Sequence, residues 1–571
     1  TCYWAKTHKY GFEVPKNYAD CVRIDKDNND TLWQDSVKAE MKTVRPAFEI
    51  HEGDVKALIG YQHIGVQLIF DIKLGESFRR KARLVALGNR TQTPSTLTYS
   101  SVVSRDSVRI ALTVAAMNNL DILVCDIEGA YLTAKCREKI YITAGPEFGS
   151  EQGSTMIVKM ALYGLKSSGA AFRSKLAGVL HDLNYRPSFA DPDVWLKAAV
   201  KPCGFEYYEM VLCYVDDVMV ISGVPSRTIE GIQSVFKLKG DKAGPPDMYL
   251  GVSLEKKKNA NGIECWTLSP EKYVNAAIQN VEKKIGILPF GKSQCPTPMR
   301  SSYHPSEDDS AELNSEGLGY YQELIGVLRW AVEIGRLDIL LEVSLLSSHL
   351  ALPRKGHLEQ VYHIFAYLKY AGRRRIFLDP THPLISEDRF QKSDWTDFYK
   401  YAEEPIPPNM PKPRGNVMTT HCFVDSDHAG DRVTRRSQTG ILIFCNKAPI
   451  IAYSKRQNSV ECSTYGSELV AMRQAIELVK SLRYKLRMFG IPIEGPTDIF
   501  CDNESVYKNA SRPESVLSKK QHSISYHSAR EAVASGIVRI AKEDTLTNLS
   551  DVFTKMMNKP KREGLFDKFM Y

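Results

Sequence analysis

The last third of the chain places the strongest constraint on its fold, because predicted strands and helices follow one another there in a fixed order. In chain order the predicted elements are 420–426, 439–445, 449–454, 464–489, 497–501, a short helix after Asn503, 524–535, 537–542 and a last helix from Leu546. If the short helix after Asn503 is counted together with the helix that follows it, the pattern is three strands, helix, strand, helix, strand, helix. Few α/β architectures accommodate this order.

The preceding part of the chain divides into a β-rich region and a helical region. Between residues 61 and 255 short strands alternate with helices, and residues 270–380 are mostly helical. The predicted strands are 66–72, 81–87, 122–127, 209–216 and 218–221, the last two meeting at a tight turn. The predicted helices are 32–43, 107–118, 169–183, 320–352 and 357–370. Five prolines between residues 405 and 413 break both ladders and helices, which predicts a linker around 381–418.

Composition is that of a globular protein with several domains. The 571 residues suffice for roughly three or four domains. Hydrophobic residues make up 43% and charged residues 25%, and the net charge is +8. Short basic clusters occur at 256–258, 283–284, 373–375 and 519–520. Such clusters are usually solvated surface, and they indicate nucleic acid only if the active sites do so as well.

Cysteine spacing and hydropathy exclude some classes of protein. The twelve cysteines contain no CxxC pair, which predicts reduced buried thiols in an intracellular protein. The most apolar stretch, 325–346, is interrupted by charged residues, so it predicts an amphipathic helix and no membrane span. The sequence starts at Thr1 without methionine, which suggests a fragment or a processed piece of a longer protein.

Two adjacent aspartates, Asp216 and Asp217, follow an apolar run within Tyr214-Val215-Asp216-Asp217. Neighbouring carboxylates at a hairpin turn repel each other unless a cation neutralises them, which suits Mg²⁺. By itself the motif is more typical of an ordinary acidic β-turn.

A third aspartate, Asp126, ends another predicted apolar strand ninety positions before Asp216. Nucleotidyl transfer uses two metal ions about 3.5–4 Å apart, and so it needs carboxylates from at least two segments of chain. Tyr131 follows Asp126 by five residues, where its ring could lie under an incoming sugar and exclude a 2′-hydroxyl. A tyrosine in the core is the alternative.

Several ordered blocks resemble the reverse transcriptase and ribonuclease H region of copia-type (Ty1/copia) retrotransposon polyproteins, from about Tyr10 to Lys555. The polymerase blocks are Arg80-Lys81-Ala82-Arg83-Leu84-Val85-Ala86, Asp126-Ile127-Glu128-Gly129-Ala130-Tyr131-Leu132, Ala161-Leu162-Tyr163-Gly164-Leu165-Lys166, the Tyr214–Asp217 box, Tyr249-Leu250-Gly251 and Pro296-Thr297-Pro298-Met299. The nuclease blocks are Arg435-Arg436-Ser437-Gln438-Thr439-Gly440, Ser454-Lys455-Arg456-Gln457 and Tyr526-His527-Ser528-Ala529-Arg530-Glu531.

The resemblance assigns roles in the polymerase half. It implies that Asp126 and Asp216 bind metal ions and that Asp217 supports them. It also implies that Lys81 and Arg83 grip the triphosphate, for which fixed cations are suited; a solvated strand edge is the alternative. Lys166 ends the block implied to line the nucleotide pocket. After Lys166 the chain reads Ser167-Ser168-Gly169-Ala170-Ala171-Phe172, where many relatives have a glutamine and a tryptophan, so this block departs from the family.

Four acidic residues match the order that a ribonuclease H-like domain needs for two-metal cleavage of RNA. They are Asp425, Glu468, Asp502 and Asp551. Each alone also suits a helix cap or an Asx turn. Many relatives place the glutamate one residue nearer the preceding threonine, and Asp427 is the second choice for Asp425. His522 and His527 are candidates for proton transfer or product release, with surface histidines as the alternative.

The resemblance implies an α+β multidomain fold, with a palm and fingers polymerase, a helical thumb or connection, and an α/β ribonuclease H-like domain. The expected divisions are 1–60 (N-terminal extension), 61–255 (fingers and palm), 256–380 (thumb or connection), 381–418 (linker) and 419–571 (ribonuclease H-like domain).

The expected activity is copying RNA into DNA and cleaving the RNA of the hybrid. Two Mg²⁺ ions are expected at each site, with Mn²⁺ as a substitute. The implied partners are an RNA template, a DNA primer, an RNA–DNA hybrid and deoxynucleoside triphosphates, without a membrane; the oligomeric state stays open. The implied location is intracellular, in a cytoplasmic virus-like particle or the nucleus. Two alternatives remain: a non-catalytic nucleic-acid-binding remnant, and a nuclease beside a silent polymerase half.

Overall fold

The structure is a computed structural model that describes residues 8–9, 12–73, 79–91, 98–259, 261–370, 374–517 and 519–571. Thr1, Tyr10 and Arg373, named above, lie outside the described residues. The α-helices are Tyr18–Asn28, Leu32–Val44, Arg105–Met117, Ser168–Asp182, Pro225–Gln233, Glu271–Ile285, Ser315–Glu333, Leu340–Ser347, Lys355–Tyr370, Thr464–Met488, Glu504–Ser511, Ser523–Ala534 and Lys559–Phe566. The fold is mixed α and β with several sheets, as the sequence predicts.

The N-terminal region contains two two-stranded sheets, one four-stranded sheet and two helices. Its strands are His8–Lys9 with Phe12–Glu13, then Val66–Lys73 with Arg79–Ala86, and a sheet in the order Phe48–Ile50, Thr155–Val158, Ile140–Thr143 and Gln62–His63. Helix Leu32–Val44 lies on strand Arg79–Ala86. The Ser36 hydroxyl accepts the Ala82 N–H at 2.6 Å, and the Glu40 carboxylate accepts the Leu84 N–H at 3.0 Å. These bonds satisfy donors on a strand edge that would otherwise lack partners.

A five-stranded antiparallel sheet, the palm sheet, forms the centre of the first half. Its order is Arg186–Pro187, Val194–Val200, Glu206–Tyr214, Asp217–Ser222 and Asp121–Asp126. Alternate residues of strand Asp217–Ser222 enter two cores, with Val218 and Val220 on one face and Met219 and Ile221 on the other. Both faces of the sheet are therefore buried, which explains why the sequence of strand Asp217–Ser222 is continuously apolar from Val218 to Ile221.

A four-stranded sheet and a group of helices follow the palm sheet. The strands are Met248–Tyr249, Val252–Lys258, Glu264–Ser269 and Ile376–Leu378. The single helix predicted for 320–352 is wrong, because the helix ends after Glu333 and a new one begins at Leu340. Gly335 at φ 137° breaks the helix, and Arg336 and Asp338 then turn inward as a buried ion pair of 2.7 Å.

The C-terminal region contains the second five-stranded sheet, the nuclease-like sheet. Its order is Ala448–Arg456, Gln438–Cys445, Thr420–Ser426, Thr497–Cys501 and Val538–Lys542. The first three strands are antiparallel and the last two pair in parallel, which is the order of the ribonuclease H-like fold. Helix Thr464–Met488 crosses this sheet with Met472, Ile476 and Val479 buried against it. The α-helix predicted from Leu546 is wrong: a 3₁₀ helix spans Leu549–Phe553, and the α-helix starts only at Lys559.

The segment 381–418 is irregular over most of its length and is bonded to both halves of the chain. Glu404 pairs with Arg483 of the long helix at 2.6 Å, and Arg389 pairs with Glu543 at 2.6 Å. At its other end the Asn416 N–H donates to the Asn118 side-chain oxygen at 2.9 Å. The segment is therefore held by contacts along its path.

Among the described helices, none combines the length and apolar character that crossing a membrane demands.

Two candidate carboxylate sites

The first candidate site lies at one end of the palm sheet, where a hairpin carries the adjacent aspartates. Tyr214 pairs with Asp217, so Val215 and Asp216 form the turn. Asp217 in turn lies opposite Asp126 on the neighbouring antiparallel strand. The Ile127 N–H donates to the Asp216 carbonyl at 2.9 Å. The three predicted aspartates therefore share one end of the sheet although they come from two distant segments.

The hairpin turn holds a residue in an unfavourable conformation. Val215 has φ 57°, in the left-handed region where a β-branched residue is rare. A two-residue hairpin requires such an angle because it must match the twist of its strands. The strain costs about 1–3 kcal/mol and persists only because the paired strands on both sides enforce it.

A lysine contacts one of these carboxylates. The Lys239 ammonium lies 2.7 Å from Asp126 Oδ2, and the Asp126 side chain is 33% exposed. Nearby, Lys237 pairs with Glu128 at 2.8 Å. The pair is accessible enough for a metal ion to displace the ammonium.

Two tyrosines and an arginine lie near this site. The rings of Tyr131 and Tyr163 lie 4.9 Å apart, and the Arg83 guanidinium lies 5.0 Å above Tyr163. Burial raises the pKa of Tyr131, the charge of Asp216 raises it further, and Arg83 opposes the shift. The charges of Asp216 and Arg83 therefore both act on the Tyr131 hydroxyl. Lys81 and Arg83 both lie on strand Arg79–Ala86. Burial raises the pKa of Glu40, while the Leu84 N–H and the charges of Lys81 and Arg83 oppose the shift.

The block at residues 161–166 packs closely against strand Arg79–Ala86. The Ala86 N–H donates to the Tyr163 carbonyl at 2.8 Å. Gly164 has φ 92°, and a Cβ there would lie 2.1 Å from the Ala86 carbonyl oxygen, so only glycine fits. The Lys166 ammonium donates to the Thr91 carbonyl at 2.8 Å, which is a structural contact.

The second candidate site lies on the nuclease-like sheet and brings three carboxylates into one group. Asp425 lies in the central strand, Glu468 near the start of the long helix, and Asp502 just after strand Thr497–Cys501. One carboxylate oxygen from each lies within 4.8 Å of the other two. The Ser426 N–H donates to Glu468 Oε2 at 3.1 Å and fixes that side chain. Within the described ranges this is the only group of three acidic, histidine or cysteine side chains so close together.

The electrostatics of this group favour a bound cation. Burial raises the pKa of Asp425, and Asp551 and Asp502 add to the shift while Lys555 opposes it. Burial likewise raises the pKa of Glu468 well above its ordinary value, with Asp425 and Asp502 adding to it. Carboxylates crowded in a buried place repel each other unless positive charge enters. An all-oxygen donor set of this kind fits Mg²⁺ or Mn²⁺.

The fourth predicted acid, Asp551, is joined to Asp425 by a lysine. Asp551 is fully buried within the 3₁₀ helix Leu549–Phe553. The Lys555 ammonium lies 3.2 Å from Asp425 Oδ1 and 3.1 Å from Asp551 Oδ1. Lys561 contacts the other oxygen of Asp551 at 3.3 Å, and the Thr554 hydroxyl donates to Asp425 Oδ2. Sequence reasoning gave no role to Lys239, Lys555 or Thr554, although Lys555 follows Asp551 at helical i,i+4 spacing.

The remaining candidates lie apart from the group of three. The Asp427 carboxylate accepts the Gln438 N–H, and burial raises its pKa to about 6. His527 is exposed, and its Nδ1 lies 2.9 Å from the Tyr399 hydroxyl of the irregular segment. His522 is buried 3.7 Å from Glu461 and edge-on to Tyr465. The geometry favours Asp425 over Asp427, and neither histidine has a described contact with Asp425, Glu468 or Asp502.

Comparisons with known proteins fit this arrangement. Residues 55–287 match the family described as reverse transcriptase (RNA-dependent DNA polymerase). The chain is 25% identical over 507 residues to the retrovirus-related Pol polyprotein from transposon RE1 of Arabidopsis thaliana, covering 87% of this chain and 31% of the relative. It is 24% identical over 501 residues to the corresponding polyprotein from transposon TNT 1-94 of Nicotiana tabacum, covering 85% and 34%. The chain thus spans about a third of the length of these curated relatives.

Among solved structures, the chain is similar to the foamy viral protease-reverse transcriptase in complex with an RNA/DNA hybrid. The TM-score is 0.44 and the sequence identity 11%, and the match covers 95% of this chain and 56% of the other.

Proposed function

The chain is related to the Pol polyproteins of copia-type transposons over most of its length, and from that premise we propose that it is an RNA-directed DNA polymerase that also cleaves the RNA of an RNA–DNA hybrid. One observation carries the proposal. Acidic residues gather at two places on two different sheets of one chain. Strand pairing brings Asp126, Asp216 and Asp217 to one end of the palm sheet, and the side chains of Asp425, Glu468 and Asp502 form the group of three at the nuclease-like sheet.

At the palm sheet, Asp126 and Asp216 would hold Mg²⁺ with support from Asp217. At either site, bound Mg²⁺ would polarise the attacking oxygen and neutralise charge on the leaving group. Arg83 and Lys81 would attract the triphosphate, and the Tyr131 ring would lie under the deoxyribose. The contact between Tyr131 and Tyr163 supports this role, because it holds the ring in one orientation beside Asp216.

At the nuclease-like sheet, Asp425, Glu468 and Asp502 would hold Mg²⁺, and Asp551 would complete the site from the opposite side of Asp425. The bond from Ser426 to Glu468 keeps the helix carboxylate aimed at the strand. The substrates of this proposal are an RNA template, a DNA primer, deoxynucleoside triphosphates and the hybrid. A cytoplasmic particle or the nucleus stays a prediction of location.

The test is primer extension on an RNA template, scored beside cleavage of a labelled hybrid. Asp216→Asn should abolish extension and spare cleavage, and Asp425→Asn should do the reverse. Each loss should reach ~10³-fold or more, which is about 4 kcal/mol of barrier. Equal loss of both activities from either substitution would contradict two separate sites.

Matched controls lie on the same strands. Asp121 begins the palm strand that Asp126 ends, and it is exposed. Asp427 follows Asp425 by two residues but lies outside the group of three. Asp121→Asn should retain extension and Asp427→Asn should retain most cleavage.

A non-catalytic nucleic-acid-binding remnant is the alternative function. The ion pairs that Lys239 and Lys555 make with Asp126 and Asp425 favour it, because an ammonium partly satisfies each carboxylate without a metal. Hybrid binding that is retained without extension or cleavage, at any Mg²⁺ or Mn²⁺ concentration, would establish this alternative.

A further inference from the structure

We propose that the Lys555 ammonium occupies the position of a second divalent cation in the substrate-free nuclease site, so that the site holds one cation until a hybrid binds. The proposal rests on the proposed nuclease function, and it assigns Lys555 a regulatory role in loading that site.

The first argument is geometric. Asp425 and Asp551 are both fully buried, and the Lys555 ammonium bridges them at 3.2 and 3.1 Å. A cation that joins Asp425 Oδ1 to Asp551 Oδ1 would lie between the same oxygens as the ammonium, at about 2.0–2.1 Å from each for Mg²⁺. The ammonium and such a cation cannot be present together. Glu468 and Asp502 form the group of three with Asp425, and the ion pairs of Lys555 reach that group only through Asp425. A first cation would be held by these three carboxylates.

The second argument is the balance of charge. The cluster contains four carboxylates (Asp425, Glu468, Asp502 and Asp551) and two ammonium groups (Lys555 and Lys561). Two formal negative charges remain, which a single divalent cation neutralises. A second divalent cation in this buried place would leave the cluster with excess positive charge unless an ammonium departs or an anion arrives.

The Lys555 side chain has room to move away from the two carboxylates. Its side chain is 40% exposed and lines a cavity of about 410 Å³ beside the carboxylates. The same cavity is lined by Asp427, whose carboxylate offers the ammonium another partner, and by Asp431, which already pairs with Arg456 at 2.5 Å. Arg435 and Arg436 also line it. The phosphate of a bound hybrid would bring the negative charge and the extra oxygen ligand that make exchange of Lys555 for a cation favourable.

The experiment counts Mn²⁺ bound to the full chain by equilibrium dialysis with electron paramagnetic resonance. Every variant also carries Asp126→Asn and Asp216→Asn, so that no Mn²⁺ bound at the palm sheet is counted. With Lys555 in place the count should be about one, and Lys555→Met should raise it to about two. Lys555→Arg keeps the charge and should leave the count unchanged.

Lys561→Met is the matched control, because among the described ion pairs Lys561 pairs with Asp551 and not with Asp425. It removes the same charge but does not open the space between Asp425 and Asp551, so the count should stay near that of the unsubstituted site. A further arm needs no change at Lys555. Adding a non-cleavable RNA–DNA hybrid to the chain that retains Lys555 should raise the count by about one ion.

Two bound ions without hybrid in the chain that retains Lys555 would overturn the proposal. An unchanged count in Lys555→Met, or an equal rise in Lys561→Met, would overturn it as well. If Lys555→Met fails to fold, as circular dichroism would reveal, the arm with hybrid decides. Failure of the nuclease function itself looks different: no Mn²⁺ would bind, and Asp425→Asn would change nothing.

Discussion

Asp126 and Asp217 lie directly opposite each other on neighbouring antiparallel strands, at the end of the palm sheet where Asp216 occupies the hairpin turn. Pairing of the strands fixes this relationship between the two backbones, whether or not an ion is bound. A substitution near the hairpin should therefore separate effects on stability from effects on metal use.

Removing Lys239 should lower the Mg²⁺ concentration needed for primer extension. Its ammonium lies on Asp126 Oδ2 and competes with a cation for that oxygen. Lys239→Met should reduce the half-maximal Mg²⁺ concentration several-fold, while the stability change stays within about 1 kcal/mol because the pair is exposed. Lys237→Met, which breaks only the pair with Glu128, is the control. An equal shift in both variants would mean that the effect is general surface charge.

Replacing Val215 by glycine should change the free energy of unfolding by less than about 1 kcal/mol, because relief of the positive φ offsets the lost side chain. Val218→Gly removes a fully buried valine three residues later and should cost about 3 kcal/mol or more. Urea unfolding of the two variants measures the difference. Equal costs would show that Val215 is unstrained.

The buried pair of Arg336 and Asp338 should give the chain an acid-sensitive component of stability. Burial alone would raise the pKa of Asp338, but Arg336 outweighs it and lowers that pKa from 3.8 to about 2. Since the folded pKa lies below the unfolded value, this stabilisation is present above pH 3.8 and is lost as the pH falls towards 2. Asp338→Asn should cost about 3–5 kcal/mol at pH 7 and remove the component from the acid unfolding profile.

Glu342 provides a control of opposite sign. It is also buried, but burial raises its pKa and Asp338 adds to the shift, while Arg562, at 3.9 Å, and a backbone hydrogen bond oppose it. Glu342→Gln should therefore be neutral or stabilising at pH 7. A loss as large as that of Asp338→Asn would contradict the assignment of the ion pair.

The contacts of the segment 381–418 should protect it from proteolysis. Glu404 bonds to both Arg483 and Arg487 of the long helix. Glu404→Gln should speed cleavage within the segment by roughly tenfold, which corresponds to about 1.4 kcal/mol of local stability. Glu403→Gln, at the exposed neighbouring position, should leave the rate unchanged.

Sequence patterns predicted the regular elements well where one period dominated. The strand at 420–426 and the helix starting at 464 agree with the structure at those positions because apolar residues recur there without interruption. The helix Tyr18–Asn28 was missed, since its sequence is mostly polar and only Cys21, Ile24 and Asp25 are buried. The break at Gly335 was missed because the charges at Arg336 and Asp338 resemble the polar face of a helix, whereas they pair in the interior.

In the nuclease-like site, too, some residues could be predicted from the sequence and others could not. Asp425, Glu468 and Asp502 could be named from their places in the order of elements, and they lie together. Lys555 could not be assigned, because its contact with Asp425 spans 130 positions and depends on how the chain turns after Phe553. The exposed position of His527 depends on packing against Tyr399, which no local pattern reveals.

The central claim is that one chain holds two separate metal-binding carboxylate sites. Anomalous X-ray scattering from crystals of the full chain soaked in Mn²⁺ tests it most directly. The account predicts one peak beside Asp126, Asp216 and Asp217 and another among Asp425, Glu468 and Asp502. Crystals that show no Mn²⁺ at either group, at concentrations that support catalysis, would contradict it.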